Sequence, residues 1–372
     1  MSPETSSLRQ LRVVAIGGGT GLSTLLRGLK RYVPAPTGSR RISPSFGPPE
    51  APENLGRRQS DWQPADAAAA GLKEFPCLIH DLAAIVTVTD DGGSSGRLRE
   101  DLKMLPPGDV RNCMVALSED EHLLAKLFQY RFDQGDLQGH SFGNLFVAAL
   151  SGITGDFAQA VQMSSQILAT RGRIYPATNT NVTLAARMED GSTVRGETNI
   201  TASKLRILEL MLEPADALPL PGTLEAIANA DLITMGPGSL YTSLITNLLV
   251  RGIPEALAAS KATRVYVCNL MTQANESLGL TASQHIEKIL QHANTQEPIF
   301  DYALINTAPF SPTLLRQYAL EGQTPIEADL DRIRALGVEP IPGDFAHEGN
   351  VLRHDHDRVT ETLLRIGLTA TN

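Results

Sequence analysis

One tryptophan, three cysteines and 5% aromatic residues are what this chain of 372 residues has least of. The cysteines, Cys77, Cys113 and Cys268, are odd in number and far apart. They have neither the even count of a disulfide framework nor the close spacing of a zinc site. They read as reduced thiols of a cytoplasmic protein. Positive charge is also short, with 32 Lys and Arg against 41 Asp and Glu and a net charge of −9. That balance argues against wholesale binding to nucleic acid or to an anionic membrane surface. No run reaches the roughly 18 apolar residues that span a bilayer. The opening MSPETSSLRQLRVVAIGGG lacks the charged-then-apolar pattern of a signal peptide. No membrane insertion is expected.

What is there alternates between strand and helix. RVVAIG (12–17), AIVTVT (84–89), DLITMG (231–236), RVYVCNL (264–270) and YALINT (302–307) are near-continuous apolar strands. Helix-type patterns follow them, beginning with LSTLLRGLKRY (22–32). Strands of this kind belong to a mainly parallel sheet covered by helices on both faces, which makes the fold class α/β. Residues 174–201 break the rhythm. NVTLAARM and TVRGETNI flank Asp190-Gly191, the signature of a β-hairpin insertion. Residues 34–76 are rich in Pro, Ala and Ser without periodicity and read as a mobile insertion, with Trp62 inside it.

Chemistry concentrates where strands end. Gly18, Gly19, Thr20 and Gly21 lie between the first strand and its helix, where bare backbone N–H groups and a positive helix end suit a phosphate. Leu22 stands where a dinucleotide fingerprint has its last glycine, and no Gly-Lys-Ser follows. No nicotinamide or flavin cofactor is therefore expected. Asp90 and Asp91 end a strand and supply hard oxygen ligands for Mg²⁺, hydroxyl acceptors or a base. Gly92, Gly93, Ser94, Ser95 and Arg97 after them form a candidate anion nest with a forked donor.

Further on, Asp109 reads as the N-cap of a helix whose first turn carries Arg111 and Asn112. His140 and Asn144 open an apolar helix, and Asn144 needs a polar partner there. Gly236, Gly238 and Ser239 form a second strand–glycine–helix junction, hence a second anion cradle, and Asn269 ends another strand. Two cradles and an acidic strand end suit a ligand with phosphates at one end and hydroxyls at the other, a nucleotide or nucleotide-sugar.

Six ordered blocks carry a resemblance. AIGGGTGLSTLLRGLK, VTVTDDGGSSGRLRED, LPPGDVRNCMVAL, GHSFGNLF, DLITMGPGSLYTSL and YVCNLMTQANES together resemble the YvcK-like gluconeogenesis-factor family, of the CofD-like (2-phospho-L-lactate transferase) superfamily. The resemblance covers about 12–32 and 80–360. It implies one Rossmann-like domain over 1–372 in a cytoplasmic protein that binds a UDP-sugar or related nucleotide. Such proteins support cell shape and wall synthesis during gluconeogenic growth. VLRHD (351–355) resembles the closing motif of that branch, which makes Arg353 a candidate for the phosphates. The 34–76 insertion departs from the family pattern. Two functions compete: a non-catalytic, ligand-sensing regulator, and a Mg²⁺-dependent transferase of a phospholactyl-type group from a nucleotide-activated donor, with Asp90 or Asp91 on the metal. A homo-oligomer is compatible with the sequence, although no stretch reads as a dedicated interface.

Overall fold

The computed structural model describes residues 10–34, 78–119, 123–274, 276–349 and 351–370. Beyond Pro34 the 34–76 insertion, Trp62 included, lies outside the described residues. Strands β1 (Leu11–Gly17), β2 (Ile79–Val86) and β3 (Arg173–Pro176) start a parallel sheet. Strands β4 (Thr183–Met188), β5 (Thr193–Arg195) and β6 (Ile207–Glu213) form an antiparallel sheet of their own, in the order β5-β4-β6. The chain then returns to the parallel sheet with β7 (Leu232–Met235), β8 (Thr263–Val267), β9 (Tyr302–Asn306) and β10 (Glu339–Gly343). A short antiparallel pair, β11 (Ala346–Glu348) and β12 (Leu352–His354), follows.

The seven-stranded order is β10-β9-β8-β7-β1-β2-β3, with parallel neighbours throughout. Strands are added on one side of β1 as far as β3, and the next is then laid on its other side. The order reverses between β1 and β7, and a crevice opens there beyond the carboxyl ends of the strands. Both faces of β1 are covered, which is why its sequence does not alternate with polar residues. Val14 and Ile16 enter one core, with Leu184 and Leu212 of the antiparallel sheet and Ile286. Leu11, Val13 and Ala15 enter the other, with the helix α1 (Gly19–Leu29). In α1, Leu22, Leu25, Leu26 and Leu29 are buried at one-face spacing.

Two boundaries differ from those read in the sequence. The antiparallel unit runs from Thr183 to Glu213, because Arg173–Pro176 pairs with β2 in the main sheet. The Asp190-Gly191 tip is present: the Asp190 carboxylate accepts from Ser192 N–H at 2.9 Å, and Gly191 has φ +84°. The strand after it stops at Arg195, however, and Glu197–Ala202 is helical.

Candidate functional site

The crevice holds a cleft of about 510 Å³, of the size that takes small ligands and cofactors. One end of it is the start of α1, where the N-cap Gly18 offers no side chain to the first turn. Gly19 adopts φ +60°, a left-handed conformation that most side chains resist. Gly21 lets α1 touch the opposite loop: a Cβ there would lie 2.2 Å from the Pro237 carbonyl oxygen. Gly18, Gly19, Thr20, Gly21, Asp90, Gly238, Ser239, Asn269 and Arg353, all sequence candidates, line this one cleft.

Three carboxylates face the glycine loop. Asp90 lines the cleft, and its Oδ1 accepts from Gly92 N–H at 3.0 Å. Asp109 was expected as an N-cap. Instead Pro107 caps the helix Gly108–Leu117, and Asp109, one residue inside, sends its carboxylate to the loop. Burial pushes Asp109 up to about 7; the Asp90 charge adds to this, and the N–H of Gly19 pulls back. Glu197, in the helix Glu197–Ala202, is pushed up to about 9 by burial and then by the charges of Asp109, Asp90, Glu276 and Asp91. Thr89 Oγ1 donates to its Oε2 at 3.3 Å. Arg353 and the neutral His354 complete the rim. Burial lowers His354 to about 4, and its Nε2–H donates to the Cys268 carbonyl at 3.0 Å.

The second glycine junction is not an open cradle. The helical turn Leu240–Ile245 that follows Gly236-Pro237-Gly238-Ser239 already receives a carboxylate, since Glu276 accepts from the Tyr241 and Thr242 N–H groups. Gly238 N–H donates to Asn269 Oδ1 at 3.4 Å, and Ser239 Oγ accepts from Gln273 Nε2 at 2.9 Å. Gly238 and Ser239 therefore form a braced wall, and Gly236 stands behind it.

The remaining candidates sit in a second layer. Ser94 Oγ meets His140 Nδ1 at 3.1 Å, and Asn144 Nδ2 donates to Ser95 Oγ at 3.5 Å. This joins the start of helix Gly93–Leu102 to that of helix Phe142–Thr154, next to Asp90 rather than in the cleft. Gly92 caps the first of these helices and Gly93 begins it. Arg111 is buried and donates to Asn112 Oδ1 at 2.7 Å. Arg97 turns outward to the Gln138 carbonyl. Asp91 is taken by Thr198, whose N–H and Oγ1 donate at 2.8 and 2.6 Å. The adjacent aspartates thus divide: Asp90 faces the cleft and Asp91 ties down the antiparallel unit. Sequence reasoning did not single out Glu197, Gln273 or Ser243, and took Asp109 for a cap. The contacts that bring them to the cleft are long-range, and only the acid at Asp109 signalled anything.

The resemblance implies a divalent cation. Asp90, Asp109 and Glu197 fit one chemically, as hard oxygen donors whose crowded charge a cation relieves. They do not converge on one point. Among the described residues the only three such groups gathered within 4.8 Å are Asp355, His356 and Asp357. There Asp355 caps the Asp357 and Arg358 N–H groups, and Arg31 pairs with Asp357.

A parallel sheet with a polar cleft at its switch point, ringed by carboxylates and a glycine loop, places the chain in the doubly wound α/β class. The family model described as 2-phospho-L-lactate transferase CofD matches residues 13–346. The gluconeogenesis factor of Halalkalibacterium halodurans is 44% identical over 359 residues, covering 96% of this chain and 97% of that protein. That of Bacillus subtilis is 41% identical over 355 residues, covering 95% and 97%. A crystal structure of a UPF0052 family member from Bacillus halodurans matches with a TM-score of 0.81 at 43% identity, covering 96% of this chain and 99% of that one. The chain belongs to the CofD-like family, in its gluconeogenesis-factor branch. Among the described residues no helix is long and apolar enough to cross a membrane.

Proposed function

We propose that this chain is a cytoplasmic regulator that binds a nucleotide-sugar, specifically a UDP-sugar, and supports cell shape and wall synthesis during gluconeogenic growth. The observation that carries the reading is the glycine-rich start of α1, which lines the switch-point cleft together with Arg353, its Gly19 N–H held by Asp109 and its Thr20 and Gly21 turned to the cleft. Phosphates would sit on Thr20, Gly21 and Arg353, and hydroxyls along Asn269 and Gln273. Glu276 occupies the second junction, so the anion-binding end of the cleft is built from Thr20, Gly21 and Arg353 and matches a ligand charged only at its diphosphate. The names of the gluconeogenesis-factor relatives support the link to gluconeogenic growth. Calorimetry with UDP-N-acetylglucosamine, with and without Mg²⁺, is expected to show saturable binding; no heat at millimolar ligand with any UDP-sugar would end the proposal.

The carboxylate ring favours a second reading, a transferase acting on a nucleotide-activated donor. Mg²⁺ would be held by Asp90 with Asp109 and would neutralise charge on the phosphates. Glu197, protonated at neutral pH, would be positioned to give a proton to a departing oxygen. This reading requires Mg²⁺-dependent release of nucleotide from some donor, abolished in Asp90→Asn.

A further inference from the structure

A second groove of about 700 Å³ runs along the outer edge of β3 and has no residue in common with the cleft. Its floor is the last strand of the parallel sheet. Ala177 N–H donates to the Val86 carbonyl, which sets the parity of the strand: Arg173 and Tyr175 pair with β2, and Ile174 turns its N–H and C=O outward. Pro176, the next outward position, has no N–H to offer.

The wall opposite is the helix Phe157–Ile167, which presents Gln159, Gln162 and Gln166 to the groove. The Tyr175 ring, lying against Gly222, gives the groove an apolar seat. Among the described residues no carboxylate lines it, and the one cation that does, Arg173, pairs with Asp81.

We propose that this groove binds a short, extended, uncharged peptide segment of another protein, which pairs its backbone with Ile174 and is held by the glutamine row. Each part of the lining selects that occupant. A strand edge with one outward N–H and C=O wants backbone of opposite polarity, as in strand addition. Carboxamides carry a donor and an acceptor each, so a row of them matches the peptide groups of a chain lying alongside. The missing charge excludes phosphates and acidic or basic tails. Pro176 limits the pairing to one residue, so the segment is short and the sheet does not propagate. The proposal is independent of what the cleft binds.

The test uses the full chain, deuterated and ¹⁵N-labelled, titrated with N-acetyl-Val-Thr-Val-N-methylamide. Saturable shifts at the Ile174 and Tyr175 amides are expected, with binding weakened about fivefold or more by Gln162→Glu. Gln162 is exposed, so the thermal midpoint should hold. The absence of saturable shifts overturns the proposal. So does equal affinity for N-methylacetamide, which would make this a site for small amides, or for the same peptide flanked by lysines or aspartates. Sedimentation showing a dimer that Gln162→Glu dissolves would assign the edge to a second copy of this chain and overturn it as well.

Discussion

Asp90 and Asp91 are neighbours in the chain and opposites in the structure, one facing the cleft and the other holding Thr198. Asp90→Asn is expected to weaken divalent-cation binding about tenfold or more. Asp91→Asn should leave that binding within about twofold and instead speed hydrogen exchange at Thr198 and Ile200. Equal losses in both variants, read by calorimetry with Mg²⁺ alone, would refute the division. His354 gives a pH signature. Its folded value near 4 lies below the ordinary 6.5, so the unfolded chain binds the extra proton first. The stability it contributes is complete above pH 6.5 and is lost as pH falls from 6.5 to 4, by on the order of 3 kcal/mol. Urea titrations across that window should show a shallower decline in His354→Gln. Residue by residue, the glycine loop and Asp90 were legible because few other roles suit them. Asp109 was misread because an acid at a helix start caps more often than it points elsewhere, and its direction depends on a loop about ninety residues upstream.

At the scale of elements, one device recurs on the side of the sheet away from the cleft. Arg12 near the start of β1 grips Asp231 just before β7 through Nε and NH2, at 3.0 and 2.8 Å. Arg264 near the start of β8 grips Asp301 just before β9 in the same way, at 3.0 and 2.6 Å. Each arginine's backbone N–H donates to the same carboxylate, so side chain and strand register are set together. The pairs differ in exposure: the Arg12 side chain is 42% exposed and that of Arg264 only 13%. Truncation to alanine is therefore expected to cost about 1 kcal/mol at Arg12 and about 3 kcal/mol at Arg264, measured by chemical denaturation. An equal cost would mean that burial does not govern these pairs. The strands themselves were readable from apolar runs, because both sheet faces are covered. The second glycine junction was readable as a turn but not as a closed one, since Glu276 arrives from a loop more than thirty residues on. Helix Glu197–Ala202 was hidden by a threonine- and asparagine-rich stretch that resembles strand.

At the scale of the molecule, the cleft exists because the two halves of the sheet meet, and Gly21 against the Pro237 carbonyl is where they touch. Gly21→Ala is expected to push the loops apart, lowering nucleotide-sugar affinity about tenfold and stability by about 2–4 kcal/mol, read by calorimetry and thermal melting. Unchanged affinity in a folded variant would separate the two loops functionally. The central position of β1 has a consequence for synthesis. Its first neighbour, β2, comes early, but Arg12 waits 219 residues for Asp231. At translation speeds of about 5–20 residues per second, that leaves one side of β1 unpaired for roughly 10–40 s. A growing chain cannot hold ligand during that interval, and its open strand invites capture by holding chaperones until the ribosome delivers the other half.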